Sequence, residues 1–257
     1  GPCGPCTEIF FDYGINPNCK SQKCDPSCNC GRFTEVWNLV FTQFNRKDGG
    51  ILEPLPGKNI DTGMGLERLA SVVQGVKSNY ETDNFSAILK VIKDTFAANN
   101  TKLTESEYRI VSDHIRAITF GISDGVVPSN EGRGYVMRKL IVDITDLAIR
   151  AGIQKPVIHT FVDVIVDVYK LPYPELAGKA SDVKETIKRI EESYIKIRRE
   201  RMPELLEELN EILLKDPNPE KLGEIYFRYR DTHGLSLASI VAVSQEAGIS
   251  KEKHLEA

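Results

Sequence analysis

The run Asp61-Thr62-Gly63-Met64-Gly65-Leu66-Glu67-Arg68-Leu69 sets two glycines and an arginine at the head of an apolar helical pattern. Leu66, Leu69, Val72, Val73 and Val76 recur at helical spacing, which predicts a helix beginning near Met64 with one face buried. Gly63 and Gly65 let backbone approach a ligand closely, and the free N–H groups of a helix start suit an anion. Arg68, one turn in, adds a planar guanidinium that fits phosphate oxygens. An ordinary loop-to-helix junction uses the same glycines, so the run alone does not decide. Asp61 offers a carboxylate that could hold a substrate ammonium, or cap the helix that follows.

A second group of reactive side chains lies further upstream. All six cysteines fall within the first 30 residues, whereas a secreted disulfide scaffold spreads them through the chain. Cys19, Cys24, Cys28 and Cys30 form C-x4-C-x3-C-x-C in a polar loop. Four thiols in so short a loop could close around one zinc ion, which takes tetrahedral sulfur ligands. Reduced, solvent-facing thiols without metal fit the same spacing. Cys3 and Cys6 belong to a glycine-proline block and are expected at the floor of an active site.

The elements that must position these groups fall into two regions. Thr7 to Tyr13 and Phe33 to Asn45 read as strands, the second apolar enough to be covered on both faces. Lys47-Asp48-Gly49-Gly50 is a turn, and Ile51 to Leu55 a short strand that Pro54 restricts to an edge or end. From Asp83 onward the pattern is helical. Helices are expected over Phe85–Ala98, Glu105–Gly121, Arg133–Ala151, Val157–Tyr169 and Asp182–Lys215, the last interrupted or kinked at Pro203. Glu220–Arg230 and a final helix after Gly234 complete the set, and Thr104-Glu105-Ser106-Glu107 supplies capping chemistry. The fold class is α+β, with residues 1–82 a sheet region and 83–257 all-helical.

Composition narrows the functions. With 257 residues, 41% of them hydrophobic, the chain can bury real cores. A net charge of −4 does not advertise a nucleic-acid binder, so any RNA contact needs a local basic face. Arg133, Arg138 and Lys139, with Asn130 just ahead, form the best such candidate. Lys188, Arg189, Lys196, Arg198, Arg199 and Arg201 are interleaved with glutamates and read as a solvated, ion-paired face. No apolar run approaches the ~18 residues that span a membrane. A soluble, cytoplasmic protein, and a fragment of something longer, is expected.

Gly-Met-Gly-Leu-Glu-Arg-Leu resembles motif 3 of the class II aminoacyl-tRNA synthetases. Gly1-Pro2-Cys3-Gly4-Pro5-Cys6-Thr7-Glu8-Ile9-Phe10 is similar to their alanyl-tRNA synthetase family, as are Glu35-Val36-Trp37-Asn38-Leu39-Val40-Phe41 and Ser129-Asn130-Glu131-Gly132-Arg133-Gly134-Tyr135-Val136-Met137-Arg138. The resemblance covers nearly the whole chain and is strongest over 1–140. It implies ATP-dependent activation of alanine and its transfer to tRNA(Ala), with Mg2+ as cofactor. Arg68 would act as the catalytic arginine, binding ATP with Gly63 and Gly65, while Asp61, Asn38 and Gly63 would bind alanine. Asn130 and Asp231 would read a G·U pair in the tRNA acceptor stem, beside Arg133 and Arg138.

Departures accompany the likeness. Val142-Asp143 stands where the family has a second basic pair, and Leu235-Ser236-Leu237-Ala238-Ser239 replaces a Phe-Pro segment. Motifs 1 and 2, the latter with the arginine for the ATP α-phosphate, are expected before Gly1. The missing N-terminal catalytic half is therefore an expected partner, and a non-catalytic RNA-binding paralogue or split subunit is the rival reading. Alanine differs from glycine by one methyl, worth only about 1–3 kcal/mol, so such enzymes carry an editing domain. None is recognised in this sequence.

Overall fold

The computed structural model describes residues 1–215 and 218–249, so the tail of the expected 83–257 region lies outside them. The chain is α+β, an antiparallel sheet followed by helices. It divides into two compact units, Gly1–Ser86 and the residues from Ala87 onward.

In the first unit β3 (Phe33–Arg46) is the central strand. On one side it pairs antiparallel with β1 (Pro2–Cys3) and β2 (Cys6–Asp12), and on the other with β4 (Leu52–Met64). Gly4 between β1 and β2 is required by sterics, because a Cβ there would meet the Phe41 carbonyl oxygen at 1.8 Å. The expected short strand is thus a long edge strand that runs through Asp61 and Met64, where a loop was expected. β3 offers a backbone partner at each position of that run, and the pairing outweighs the weak strand propensity of glycine.

Helix α1 (Leu66–Val73) follows with Gly65 as its N-cap. The expected buried apolar face is not found. Leu66 is 66% and Val73 76% exposed, whereas Ser71 is 1% exposed, because α1 turns Ser71 toward Tyr13 and nothing in this unit covers the leucines. β3 is likewise half-buried along most of its length rather than covered on both faces.

The second unit is built by helices. α2 (Asp83–Ala98) leads into it, and α3 (Glu105–Ser123), α4 (Gly132–Arg150), α5 (Val162–Tyr169) and α6 (Glu175–Lys215) follow. Thr104 and Glu107 form the expected capping box, with Thr104 Oγ1 accepting from Glu107 N and Glu107 Oε2 accepting from Thr104 N. Ile92, Phe96, Ile115, Ile118 and Ile144 are fully buried, the spacing of each set placing one face inward. α7 (Pro219–Phe227) and α8 (Leu237–Glu246) pack Leu222, Ile225 and Ile240 on Leu205 and Leu209 of α6. A π-turn at Arg228–Thr232 follows α7. No helix among the described residues is long and apolar enough to cross a membrane.

Two charges of α6 leave the expected solvated face. Glu191 is 1% exposed and accepts from the backbone N–H groups of Val157, Ile158 and His159, closing the start of a short helical turn at Ile158–Phe161. Arg198 reaches buried Asp146 at 3.3 Å.

Candidate functional site

Register decides which side chains of the first unit meet. Asn38 pairs with Gly63 and with Glu8, and Val40 pairs with Asp61. Directly opposed residues share a face, so Glu8, Asn38, Asp61 and Gly63 lie together. Trp37 and Thr62 occupy the other face, where the Trp37 indole N–H donates to Thr62 Oγ1. Asn38 Nδ2 donates to Glu8 Oε1 at 3.1 Å, while Asn38 Oδ1 is buried with no partner among the described residues. Such an orphan acceptor costs about 1–3 kcal/mol until a donor reaches it. The Asp61 carboxylate is exposed and takes no partner among the described residues. It lies inside β4 and does not cap α1, whose N-cap Gly65 has no side-chain bond. Gly63 faces open space, since a Cβ there would meet nothing within 4 Å.

Arg68 sits on the first turn of α1. Its Nη1 donates to the Glu35 carbonyl oxygen at 2.8 Å and lies 3.6 Å from Glu35 Oε2. Gly65 leaves room for this arginine, as a Cβ at 65 would stand 3.2 Å from Arg68 Cδ. Nε and Nη2 have no partner among the described residues and are free for an anion. The arrangement can hold an ammonium at Asp61 and oxygens of a phosphate at Arg68, with strand and helix fixing the separation. Sequence reading did not single out Glu8 or Glu35. The signal was available in the pairing of a strand rich in β-branched and aromatic residues with its neighbour.

The loop 13–32 brings Cys19, Cys24, Cys28 and Cys30 together, their sulfur atoms all within 4.8 Å of one another. The Cys19–Cys28 and Cys24–Cys30 sulfurs are 3.6 Å apart, and all six cysteines are free thiols. Burial pushes the Cys24 thiol up to about 12, whereas the Arg32 backbone N–H draws Cys30 down to about 7. At the base of the loop Arg32 donates to both oxygens of Asp12 at 2.7 and 2.6 Å, which holds that carboxyl down to about 2.

In the second unit, Asn130 and Arg138 line a recess of about 450 Å³ with Ser129, Val142, Arg189 and Ser193. Arg138 Nη1 donates to Asn130 Oδ1. Arg138 also lies beside the turn that follows the π-turn, since a Cβ at Gly234 would stand 3.9 Å from its Nη2. Asp231 is exposed within that π-turn, and Arg133 is exposed on the first turn of α4. Lys139 is taken up by Asp143, which withdraws one cation from the basic group expected here. Arg189, read from sequence as part of an ion-paired face, instead lines this recess. The Asn130 loop is held by Gly134, where a Cβ would fall 2.2 Å from Ser129 Oγ and 2.4 Å from the Val127 carbonyl oxygen. Gly134→Ala is expected to cost about 1–3 kcal/mol of stability by overpacking and to displace the Asn130 loop. Thermal unfolding of the variant checks the cost, and an unchanged midpoint would mean that the loop gives way without strain.

The sequence model of the family described as tRNA synthetases class II (A) matches residues 1–254. The chain is 41% identical over 251 residues to the alanine–tRNA ligase of Caldicellulosiruptor saccharolyticus, covering 97% of this chain and 28% of that protein. It is 42% identical over 234 residues to the same-named protein of Endomicrobium trichonymphae, covering 91% of this chain and 27% of the relative. For that of Petrotoga mobilis the identity is 38% over 257 residues, with 98% and 29% covered. The chain therefore spans under a third of the length of these relatives.

Proposed function

The chain belongs to the class II tRNA synthetases (A), and from that membership we propose that it is the later part of an alanine–tRNA ligase catalytic domain joined to a helical tRNA-recognition region. The observation that carries this reading is the gathering of Asn38, Asp61 and Gly63 on one sheet face, one strand end away from Arg68. Asp61 would bind the alanine ammonium, and the unsatisfied Oδ1 of Asn38 is the kind of acceptor that a ligand N–H completes. Glu8 would keep the Asn38 amide in place. Gly63 and Gly65 would let the nucleotide approach, and Arg68 would hold its phosphate oxygens.

In the reaction the alanine carboxylate oxygen attacks the ATP α-phosphorus, the bond to the bridging oxygen of pyrophosphate breaks, and alanyl-adenylate forms. The alanyl group then passes to a hydroxyl of the terminal tRNA ribose, releasing AMP. This chain's residues position the reactants and offset charge, and none forms a covalent bond. Mg2+ bound with the nucleotide supplies further charge neutralisation. The partner is the acceptor stem of tRNA(Ala), met by Asn130, Arg133, Arg138 and Asp231.

Alanine-dependent ATP–pyrophosphate exchange tests the reading, with the chain alone and with a segment carrying motifs 1 and 2 supplied in cis or as a separate polypeptide. Exchange is expected only when those motifs are present, because Arg68 by itself leaves the α-phosphate unclamped. No exchange in either arm, with both parts folded, would favour the non-catalytic RNA-binding reading.

A further inference from the structure

We propose that Cys19, Cys24, Cys28 and Cys30 bind one zinc ion as a structural centre that fixes the β2–β3 connection and, through Tyr13, the position of α1. The first argument is size. A tetrahedron with metal–sulfur bonds of about 2.3 Å has sulfur–sulfur edges of about 3.8 Å. Two edges here are 3.6 Å and every sulfur pair lies within 4.8 Å, so the four thiols already outline that figure. Those separations are far beyond a disulfide bond, which is about 2.05 Å. Four soft sulfur donors with no oxygen or nitrogen among them select a metal such as zinc.

The second argument is what the loop otherwise lacks. Residues 13–32 contain no helix or strand and no buried side chain, and Ile15 is 85% exposed. Connections of that length without structure of their own are uncommon in compact units, and a bound metal can replace the core they do not have. The third argument is a fixed cation beside the thiols, since Arg32 lies two residues after Cys30 and is held at the base of the loop by both oxygens of Asp12. A zinc tetrathiolate carries net negative charge, and Arg32, anchored on Asp12, offsets part of it.

The loop is coupled to α1 by identified bonds. Tyr13 N donates to the Arg32 carbonyl oxygen at 2.9 Å, and Asn16 Nδ2 donates to that of Cys30 at 2.6 Å. The Tyr13 hydroxyl meets Ser71 Oγ at 3.1 Å, and Ser71 Oγ donates to the Arg68 carbonyl oxygen at 2.8 Å. Loosening the loop therefore loosens the helix that carries Arg68.

The test uses the full chain and reads metal rather than activity, so it stands apart from the proposed reaction. Elemental analysis of the purified protein is expected to find one zinc per chain, and cobalt exchange to give the absorption of a tetrahedral thiolate site. Any single serine substitution at the four cysteines should abolish stoichiometric zinc, Cys3→Ser should retain it, and Arg32→Gln, which keeps all four ligands, should weaken zinc binding by about 10–100-fold. Zinc chelation should raise hydrogen exchange at both residues 13–32 and α1. Zinc-free protein that does not take up added zinc, iron in place of zinc, or disulfides found among the four cysteines would overturn the site. Unchanged exchange in α1 on chelation would overturn its coupling to Ser71.

Discussion

Replacing Asp146 with alanine is expected to destabilise the helical unit by about 3–5 kcal/mol, because it removes the buried carboxylate on which two hydroxyls and two guanidinium groups converge. Asp146 is 1% exposed on α4. Its carboxylate accepts from Tyr194 Oη at 2.8 Å and from Ser239 Oγ, and it faces Arg150 at 3.0 Å and Arg198 at 3.3 Å. One side chain thus joins α4, α6 and α8. Burial, with this carboxylate beside it, pushes the Tyr194 hydroxyl above its usual range. Asp146→Asn keeps an acceptor for Tyr194 and Ser239 and loses only the charge, so it should fall between wild type and alanine. Chemical denaturation measures both. A loss below about 1 kcal/mol for the alanine variant would mean that water replaces the carboxylate, and the network would then hold nothing together.

Asp61→Ala, made in a protein that also carries motifs 1 and 2, is expected to lower kcat/KM for alanine by about a hundredfold to a thousandfold. The charge-assisted bond to the substrate ammonium would be lost, whereas the KM for ATP should change little because Arg68 is untouched. Stability should not move, since the Asp61 carboxylate is exposed and makes no bond within the described protein. Pyrophosphate exchange at varied alanine and varied ATP separates the two constants. Near-normal alanine activation would remove Asp61 from the site, and an equal loss for both substrates would mark a displaced strand rather than a lost ligand.

Local chemistry was the readable part of the sequence. The Thr104–Glu107 capping box, the helices around it and the thiol cluster each depend on residues close in the chain, and each is found where spacing puts it. Misreadings arose where a distant partner decides. Gly63 and Gly65 suggest a loop until β3 supplies a hydrogen-bonding neighbour for the run before Gly65. The apolar residues of α1 promise a buried face, yet periodicity says only which residues share a face and not whether anything covers it. On α6 the charges look alike in sequence. Glu191 finds three backbone amides and Arg198 finds Asp146, while Lys188 and Glu192 remain on the surface. Asn38 was separable from Trp37 in principle by strand alternation, but the side that faces Asp61 depends on the register with β4.

The continuity of β4 into α1 sets a rule for how this segment can change over generations. Asp61 and Asn38 share a face only because Asp61 stands two positions before Gly63, with Thr62 alone between them, along a paired strand. Loss or gain of one residue between Asp61 and Gly65 would turn Asp61 to the side of Trp37, or carry Arg68 about 100° around its helix. Side chains such as Thr62 and Met64 can be exchanged without that penalty. Across related sequences positions 62 and 64 should therefore vary while the length of the stretch stays constant, and insertions should collect instead in the 13–32 connection, outside the cysteine spacing.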